Sequence, residues 1–574
     1  MDSSECLLIF CISTIHDKRK SDTFFQRMLS QIARFIRDKI PILAAFTNIH
    51  LITYTMKKLK ANLVILLLLI VHFSFAQVKD TAIVNGIVRE ATDNSQLENL
   101  AHELMDKIGP RLVGSPKMKL ANDWAVAKYN SWGIDAHNEK WGEWRGWERG
   151  ITHIDMVAPW IKSLEGTQLA WSPSTNGKTI TGDVIILPDV ADSMSFQEWL
   201  PSVKGKFVMV SMNQPTGRPD YNWEEFGTKE SVQKIKDNRD QQTKAWYKRI
   251  ANTGYNNKTL ALALETAGAS GIVQNYWSKG FGVDKIFGAN TKKIPTIDIA
   301  LEDYGLLYRL AEDGSAPVKI SVRADSKETG VQPTLNTIAE IKGTEKPNEY
   351  VLLSAHFDSW DGGTGATDNG TGTITMMEAI RILKKIYPHP KRTILVGNWG
   401  SEEEGLNGSR AFVEDHPEIV KNLQVVFNQD NGTGRIVDIS GQGFLNSYDY
   451  IGRWLPAVPD SFRNQIKTNF PGYPGSGGSD FASFVAAGAP AFSLSSLSWS
   501  YGIYTWHTNR DTYDKIVFDD VRSNAIVTAI LAYMASEDPE TTSRTKIVLP
   551  VNPRTGEPGV WPVPKSPTRK GGLD

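Results

Sequence analysis

The chain has almost no cysteine. Its 574 residues include 2 Cys, Cys6 and Cys11, so the sequence after residue 11 contains no thiol. This excludes a disulfide framework and thiolate metal ligands from nearly the whole chain. Charge of one sign is also lacking, since 63 Lys and Arg face 64 Asp and Glu and the net charge is −1. The balance gives no reason to expect nucleic acid or an anionic membrane as a partner.

Long apolar runs are scarce as well. The prominent one, Leu63–Val71, follows Met56 and a lysine-rich segment and precedes the small residues Ser74 and Ala76. A basic start, a short apolar core and small residues at −3 and −1 are typical of a secretory signal peptide. The core is too short to span a bilayer. The pattern predicts a signal peptide over residues 56–76.

A signal peptide must be N-terminal, which bears on what precedes it. Residues 1–55 are therefore interpreted as an over-extended translation start, and the mature chain is expected to begin near Gln77. Cys6 and Cys11 both lie in the extension, which suits an exported protein without disulfides, in a bacterial periplasm or outside the cell. No cysteine follows the cleavage site, so no stable membrane anchor is expected after cleavage.

The rest of the chain consists of four segments that differ in their pattern of apolar, polar, Pro and Gly residues. Helical spacing of apolar residues comes first, then short β-like runs interrupted by the polar stretch Asn213–Tyr255, then alternating strands and helices, and last a segment rich in Pro and Gly. The corresponding ranges are 77–160, 161–325, 326–540 and 541–574. The alternation predicts an α/β domain whose central sheet is largely parallel and flanked by helices.

Histidine and carboxylate side chains follow the strand-like runs of the third range. They are His356 and Asp358 after YVLLSA, Asp368 in GATDNGTG, Glu402, Glu403 and Glu404 after TILVGNW, Asp430 after LQVVFNQ, and His507 in WHTNRDT. In parallel sheets ligands gather at the carboxyl ends of strands. Imidazole and carboxylate groups without thiolate form the ligand inventory of a two-zinc hydrolase.

Five motifs in this order carry a family resemblance. HFDS, GATDNGTG, EEEGLNGS, SDFASF and WHTNRDT together resemble the co-catalytic zinc peptidases, a family that includes bacterial aminopeptidases, carboxypeptidase Q and glutamate carboxypeptidase. The resemblance covers residues 90–540 and implies a phosphorylase/hydrolase-like α/β peptidase domain. Residues 161–325, through GKFVMVS and AGASGIV, are similar to the β-rich protease-associated domain inserted in some members.

The resemblance implies a set of metal ligands and the way in which two zinc ions share them. The implied zinc ligands are His356, Asp368, Glu403, Asp430 and His507. Asp368 would bridge two zinc ions, with Asp430 completing one ion's ligands and Glu403 the other's. The Asp368–Asn369 peptide is expected to be cis, as is often the case in this family.

The same resemblance implies roles around the metals. Glu402 would be the general base, and Asp358 would accept the free ring N–H of His356 and fix its tautomer. The family often has Tyr just before the last His, where this chain has Trp506. The remaining expectations are Tyr501 or Tyr504 as oxyanion donor and Asp480 and Asp511 as supporting residues.

The function expected is that of an exported di-zinc exopeptidase acting on peptides or dipeptides. Two alternatives stay open: a glutaminyl cyclase-like enzyme with a single zinc, and a non-catalytic receptor-like relative. The sequence does not rank aminopeptidase, carboxypeptidase and dipeptidase, because several charged residues suit a substrate terminus. These residues are Glu404, Arg410, Arg435 and Arg453. Oligomeric state is equally open, a homodimer included.

Overall fold

A computed structural model describes residues 81–551 and 553–573. The predicted extension 1–55, with both cysteines, and the predicted signal peptide 56–76 lie outside the described residues. Those residues fall within one compact unit, Asp80–Asp574. In the described ranges, none of the helices combines the length and the apolar character that crossing a bilayer requires.

Fifteen strands join into one sheet within the described residues. They are β1 (Asp135–Ala158), β2 (Lys162–Ser163), β3 (Gly166–Gln168), β4 (Ile180–Ile186), β5 (Phe207–Met209), β6 (Gly271–Gln274), β7 (Thr296–Ile299), β8 (Lys319–Ile341), β9 (Lys346–His356), β10 (Arg392–Trp399), β11 (Leu423–Asn428), β12 (Ile436–Ser440), β13 (Lys467–Asn469), β14 (Ala491–Ser496) and β15 (Lys570–Gly571).

Helices cover the sheet. They are α1 (81–93), α2 (Leu97–Ala101, continued by a wider turn over His102–Ile108), α3 (Pro116–Ser131), α4 (Ser193–Trp199), α5 (Asp220–Phe226), α6 (Lys229–Asn252), α7 (Asn257–Thr266), α8 (Leu301–Asp313), α9 (Thr371–Ile386), α10 (Asn407–Asp415), α11 (Pro417–Lys421), α12 (Ser447–Trp454), α13 (Asp460–Arg463), α14 (Phe481–Ala486), α15 (Tyr501–Tyr504) and α16 (Phe518–Glu537). Short tight turns cover Leu200–Val203, Leu455–Ala457 and Tyr513–Lys515.

The centre of the sheet is parallel, as predicted. Strand β9 pairs in parallel with β10 on one side and β11 on the other, and β11 pairs in parallel with β14. Every residue of β10 and β11 is buried, because helices cover both faces of this part of the sheet. The neighbours β8 and β12 run antiparallel to β10 and β14. The expected mixed α/β fold is thus confirmed.

Two long strands connect two hydrophobic cores. Strand β1 pairs with β8 from Asp135–Glu340 to Ala158–Lys319, with several bulges. One core packs α9 and α16 against β9 and includes Val351 and Ile530. A second core gathers most of its side chains from residues 161–325, including Phe207 and Leu307. The identification of that region as a protease-associated domain stays a prediction.

The segment after residue 541 is irregular but anchored. Its strand β15 pairs in parallel with β1 at Glu143 and Trp144. Trp561 donates its indole N–H to the Val485 carbonyl, at 2.9 Å. The Pro- and Gly-rich composition predicts the lack of regular structure, whereas the anchoring has no signal in the sequence.

Candidate active site

Three neighbouring strands end at one edge of the sheet. Strands β9, β10 and β11 are parallel and end at His356, Trp399 and Asn428. The loops that follow them therefore bring His356, the glutamate triplet and Asp430 together, as expected from the strand order. Asp368 comes from the turn before α9, and His507 from the loop after α15.

The predicted ligands form two groups. In the first, the His356 Nε2 atom lies 3.1 Å from Asp430 Oδ1. In the second, the His507 Nε2 atom lies 2.9 Å from Glu403 Oε2. Each group offers ligand atoms that lie within 4.8 Å of one another, which is the spacing of donors around one cation.

Asp368 lies between the two groups. Its Oδ1 atom is 3.4 Å from His356 Nε2, and its Oδ2 atom is 3.4 Å from His507 Nε2. Each carboxylate oxygen thus faces a different imidazole, the arrangement that a bridging ligand requires. The Asp368–Asn369 peptide is cis, which confirms that expectation.

Glu402 belongs geometrically to the first group. One of its oxygens lies within 4.8 Å of the ligand atoms of His356 and Asp430. Burial is the main cause that raises the pKa of Glu402 well above its usual value, and the negative charges of Asp430 and Asp480 add to it. Two neighbouring glutamates therefore serve different groups, Glu402 the first and Glu403 the second.

The donor set fits metal cations. The buried atoms Asp368 Oδ2, Glu403 Oε1 and His507 Nδ1 have no hydrogen-bond partner among the described residues. Burial and the neighbouring Asp368 raise the pKa of Glu403 well above its usual value, which shows a surplus of negative charge. Burial lowers the pKa of His507 to about 4, so its imidazole stays neutral, the form that binds metal. Cations bound to these oxygens would neutralise that surplus.

Asp358 supports the site differently from the expected way. The His356 Nδ1 atom lies 3.1 Å from the Asp358 backbone oxygen and 3.7 Å from its carboxylate. The carboxylate instead accepts the backbone N–H groups of Glu402 and Glu403, at 3.0 and 3.2 Å. The expectation assumed that β9 continues, but the strand ends at His356. The Asp358 carboxylate therefore orients the loop of the glutamates.

Asp511 and Asp480 both lie buried beside the ligands. Asp511 accepts the backbone N–H groups of Thr367 and Asp368, at 2.8 and 3.0 Å, and so holds the loop of the bridging residue. Asp480 makes no side-chain hydrogen bond within the described ranges and has no exposed surface. Burial raises the pKa of each to about 7.

The two candidate oxyanion donors lie in different places. Tyr501 lies beside Asp368 and, with His356 and His507, lowers the pKa of that carboxyl against the opposing effect of burial. The Tyr504 hydroxyl lies 3.1 Å from the hydroxyl of Tyr221 in α5. Tyr501 is therefore the better-placed donor of the two.

Arg111 supports the site, although no role for it was predicted from the sequence. Its fully buried guanidinium donates to the backbone oxygens of Phe357, Thr364 and Gly365, at 2.7, 2.8 and 2.8 Å. It thereby ties together the loops that carry His356 and Asp368. The only signal was its position in the apolar segment IGPRLVG.

A loop of residues 161–325 contacts His507, the last of the predicted ligands. We call residues 275–288 the docking loop. Its Ile286 N–H donates to the His507 backbone oxygen at 2.8 Å, and its Lys285 Nζ donates to the Trp506 oxygen at 2.7 Å. The Phe287 ring lies 5.1 Å from the His507 ring, edge to face. His507 has a φ of +57°, and these contacts hold its backbone in that conformation.

The docking loop is itself fixed at two points. Asp298 in β7 accepts the Tyr276 N–H at 2.9 Å. Asp284 receives the Asn509 side-chain amide at 3.0 Å, and the Asp284 N–H donates to Asn509 Oδ1 at 3.0 Å. Position 509 is two residues past His507, so residues 161–325 take part in shaping the site.

The candidates for recognising a substrate terminus differ in their surroundings. Arg453 is paired with Asp538 at 2.8 Å, and Arg435 lies 3.6 Å from Asp520. Both oxygens of Glu404 are buried without a hydrogen-bond partner among the described residues. Arg410 points into a cavity beside α10. The ion pairs engage Arg453 and Arg435, and burial removes Glu404 from solvent, whereas Arg410 remains available to a ligand.

Comparisons with known proteins agree with this geometry. Residues 336–532 match the model of Peptidase family M28. The chain is 26% identical over 468 residues to carboxypeptidase Q of Rattus norvegicus, covering 81% of this chain and 90% of that protein. It is 25% identical over 467 residues to carboxypeptidase Q of Homo sapiens, with the same coverage. The crystal structure of a Peptidase M28 precursor from Shewanella amazonensis SB2B superposes with a TM-score of 0.61 at 25% identity, covering 81% of this chain and 98% of that one.

Proposed function

Because the chain belongs to the co-catalytic zinc exopeptidase family and is a zinc metallopeptidase, we propose that it binds two zinc ions and removes terminal residues from peptides or splits dipeptides. One observation carries this proposal. Asp368 directs one oxygen to His356 and the other to His507, and each histidine has a further carboxylate of its own. One three-residue group would suffice for the single zinc of a cyclase, so the pair of groups favours the two-metal peptidase.

The residues that would hold zinc are His356, Asp368 and Asp430 on one side, where both carboxylates contact the imidazole, and Asp368, Glu403 and His507 on the other. Zinc bound there would polarise the scissile carbonyl and make a water molecule more acidic. Glu402 would take the proton from the attacking water and return it to the leaving amine. Burial raises the pKa of Glu402, which suits a group that must accept and then release a proton. Its orientation depends on Asp358, which holds its backbone N–H.

Tyr501 would stabilise the negative charge that develops on the carbonyl oxygen. Its phenol lies beside the bridging Asp368, and burial raises its pKa well above the usual value, so it stays protonated and can donate. The docking loop would limit the cleft to chain ends, because its main chain is hydrogen-bonded to His507. Export into a bacterial periplasm or medium completes the proposal and depends on the signal-like residues 56–76.

The experiment combines metal removal with a substrate scan. Chelation should abolish hydrolysis, and added zinc should restore it with two ions per chain. Dipeptides, N-acetylated peptides and C-amidated peptides then identify the terminus: loss of cleavage on acetylation indicates an aminopeptidase, and loss on amidation indicates a carboxypeptidase. Cleavage of a peptide blocked at both ends, or full activity without metal, would contradict the proposal.

A further inference from the structure

A cavity of about 770 Å³ lies beside α10, under the segment 560–566. One wall is α10 and another is α14, and the chain of residues 560–566 closes the third side. Binding sites for small organic molecules usually have volumes of roughly 300–1,000 Å³. The cavity is therefore large enough to enclose most of such a ligand.

The third wall is an arch fixed at both ends. At one end, Trp561 donates its indole N–H to the Val485 oxygen. At the other end, the Thr568 N–H donates to Asn407 Oδ1 at 2.8 Å, and Arg569 pairs with Asp415 at 2.7 Å. Between these points residues 560–566 line the cavity. The arch thus encloses a volume that its own side chains do not fill.

The interior of the cavity is mainly apolar. Its lining includes Leu406, Val413, Val420, Ala482, Ala486 and Val563. Such a surface favours a hydrocarbon body over a sugar or a nucleotide, because burying it removes apolar area from water.

The charges in the cavity are positive. Among the described residues, the Arg410 guanidinium has no hydrogen-bond or ion-pair partner. Arg544 also lines the cavity, and its side chain donates only to backbone oxygens, including those of Gly488 and Val420. The acidic residue of the lining, Glu414, is engaged by Arg569 at 3.0 Å. A free guanidinium above an apolar floor is suited to a carboxylate, which it can bind with two parallel hydrogen bonds.

We propose that this cavity binds a monocarboxylate with an apolar body, with Arg410 as the anchor of the carboxylate. Two sources share this chemistry: a fatty acid of medium chain length, and the C-terminal end of an apolar peptide. The proposal concerns a site on the outer side of α10 and is independent of the metal count and of Glu402.

Calorimetric titration of the zinc-loaded chain with decanoate tests the proposal. We expect saturable binding of one molecule per chain, and at least tenfold weaker binding in Arg410→Met, because the methionine keeps the apolar stem and removes the guanidinium. Arg410→Lys should lose less, since the charge remains. Arg89→Met is the matched control: Arg89 is exposed on α1, has no partner among the described residues, and should leave the binding unchanged. Decanol should bind weakly and equally to the wild type and Arg410→Met.

A second variant keeps the test decisive if Arg410→Met unfolds. Ala486→Phe places a ring in the cavity and should exclude decanoate without removing any charge. N-acetyl-leucyl-leucine in competition with decanoate identifies the source when both are measured in Glu402→Gln, which should not hydrolyse the peptide, and the ligand whose affinity falls more on Arg410→Met is the one the site prefers. Absence of binding, or equal affinity in wild type, Arg410→Met and Ala486→Phe, would overturn the proposal, because a carboxylate held at the zinc ions would be indifferent to these changes.

Discussion

Two adjacent glutamates with different surroundings are the sharpest feature at the scale of single residues. Glu402 and Glu403 both receive their backbone support from Asp358. Their side chains separate, since Glu402 lies with His356 and Asp430 while Glu403 lies with His507. The Trp360 indole N–H also donates to Glu403, at 2.9 Å, and fixes its orientation. Equal substitutions at the two positions should therefore have unequal effects.

Glu402→Gln should keep both zinc ions, because glutamine has the same size but cannot take a proton. The turnover number should fall by roughly 10²–10⁴, the usual contribution of general acid–base catalysis. Glu403→Gln should lose zinc and activity together. The measurement is zinc per chain beside kcat for both variants. Near-normal turnover in Glu402→Gln, or a missing metal ion in that variant alone, would show that the two roles are assigned wrongly.

Some site residues could be predicted from the sequence and others could not, and the two sets differ in how far along the chain their partners are. His356, Asp430 and the glutamates each follow an apolar strand directly, so the strand order alone predicts their meeting. Arg111 and Lys285 act on loops far from them in sequence, and no local pattern marks such contacts. The Asp358 carboxylate lies 3.7 Å from the expected His356 Nδ1 atom, and its bonds to the backbone N–H groups of Glu402 and Glu403 could not be predicted, because a strand end cannot be located to the residue from sequence.

At the scale of elements, the docking loop connects residues 161–325 to His507, the last of the predicted ligands. Its main contacts are backbone hydrogen bonds around residues 506–509 and the pair of hydrogen bonds between Asp284 and Asn509. A loop held in this way is positioned by the strands of residues 161–325, since Asp298 in β7 receives its Tyr276 N–H. The sequence predicts a β-rich region over residues 161–325 but could not show which of its loops reaches the predicted metal ligands.

Asn509→Ala should loosen this loop. The substitution leaves the buried Asp284 N–H and one carboxylate oxygen without partners, which costs about 1–3 kcal/mol. The free energy of unfolding should fall by that amount, and proteolytic cleavage within residues 275–288 should accelerate. Asn464→Ala is the matched control, because Asn464 is exposed and has no side-chain partner in the described part of the chain. Equal stability and equal cleavage in both variants would mean that the hydrogen bonds between Asp284 and Asn509 do not hold the loop.

At the scale of the whole molecule, stability should depend on pH through a buried carboxyl group. Asp298 has no exposed surface, and burial raises its pKa to about 8, although the Tyr276 N–H and the nearby Lys285 oppose the shift. The unfolded chain binds a proton at this group only below about pH 3.9. Between about pH 4 and pH 8 the folded state therefore holds more protons, and stability must fall as the pH rises.

Asp298→Asn should remove this dependence, since an amide does not ionise and its oxygen can still accept the Tyr276 N–H. Urea unfolding of wild type and variant at pH 5, 6, 7 and 8 should give a difference that changes by up to ~1.4 kcal/mol per pH unit. Taking the difference cancels the contribution of groups that do not interact with Asp298, whereas Asp284, whose pKa the charge of Asp298 helps to raise, contributes to the difference together with Asp298. Parallel pH curves for the two proteins would refute the raised pKa.

The mature protein should begin near Gln77. The basic segment, the short apolar core and the small residues before Gln77 are the features of a signal peptide that is cleaved at that point. Amino-terminal sequencing of protein exported by a bacterial host measures the start directly. A variant of the protein in which Leu66 and Leu67 are both changed to Arg should remain inside the cell. An exported product that still carries residues 1–55 would disprove the assignment.

The long pairing of β1 with β8 has a consequence for the nascent chain. Strand β1 leaves the ribosome well before β8, and still earlier than Arg569, which binds the Trp141 oxygen across 428 positions. Until those partners are synthesised, 24 residues that include Trp141, Trp144 and Trp147 present unpaired backbone groups and large aromatic surfaces. Such a segment is prone to aggregate, and its pairings are slow to form because they are distant in sequence. Chaperones that hold the unfinished chain should therefore govern its yield more than the stability of the finished protein does.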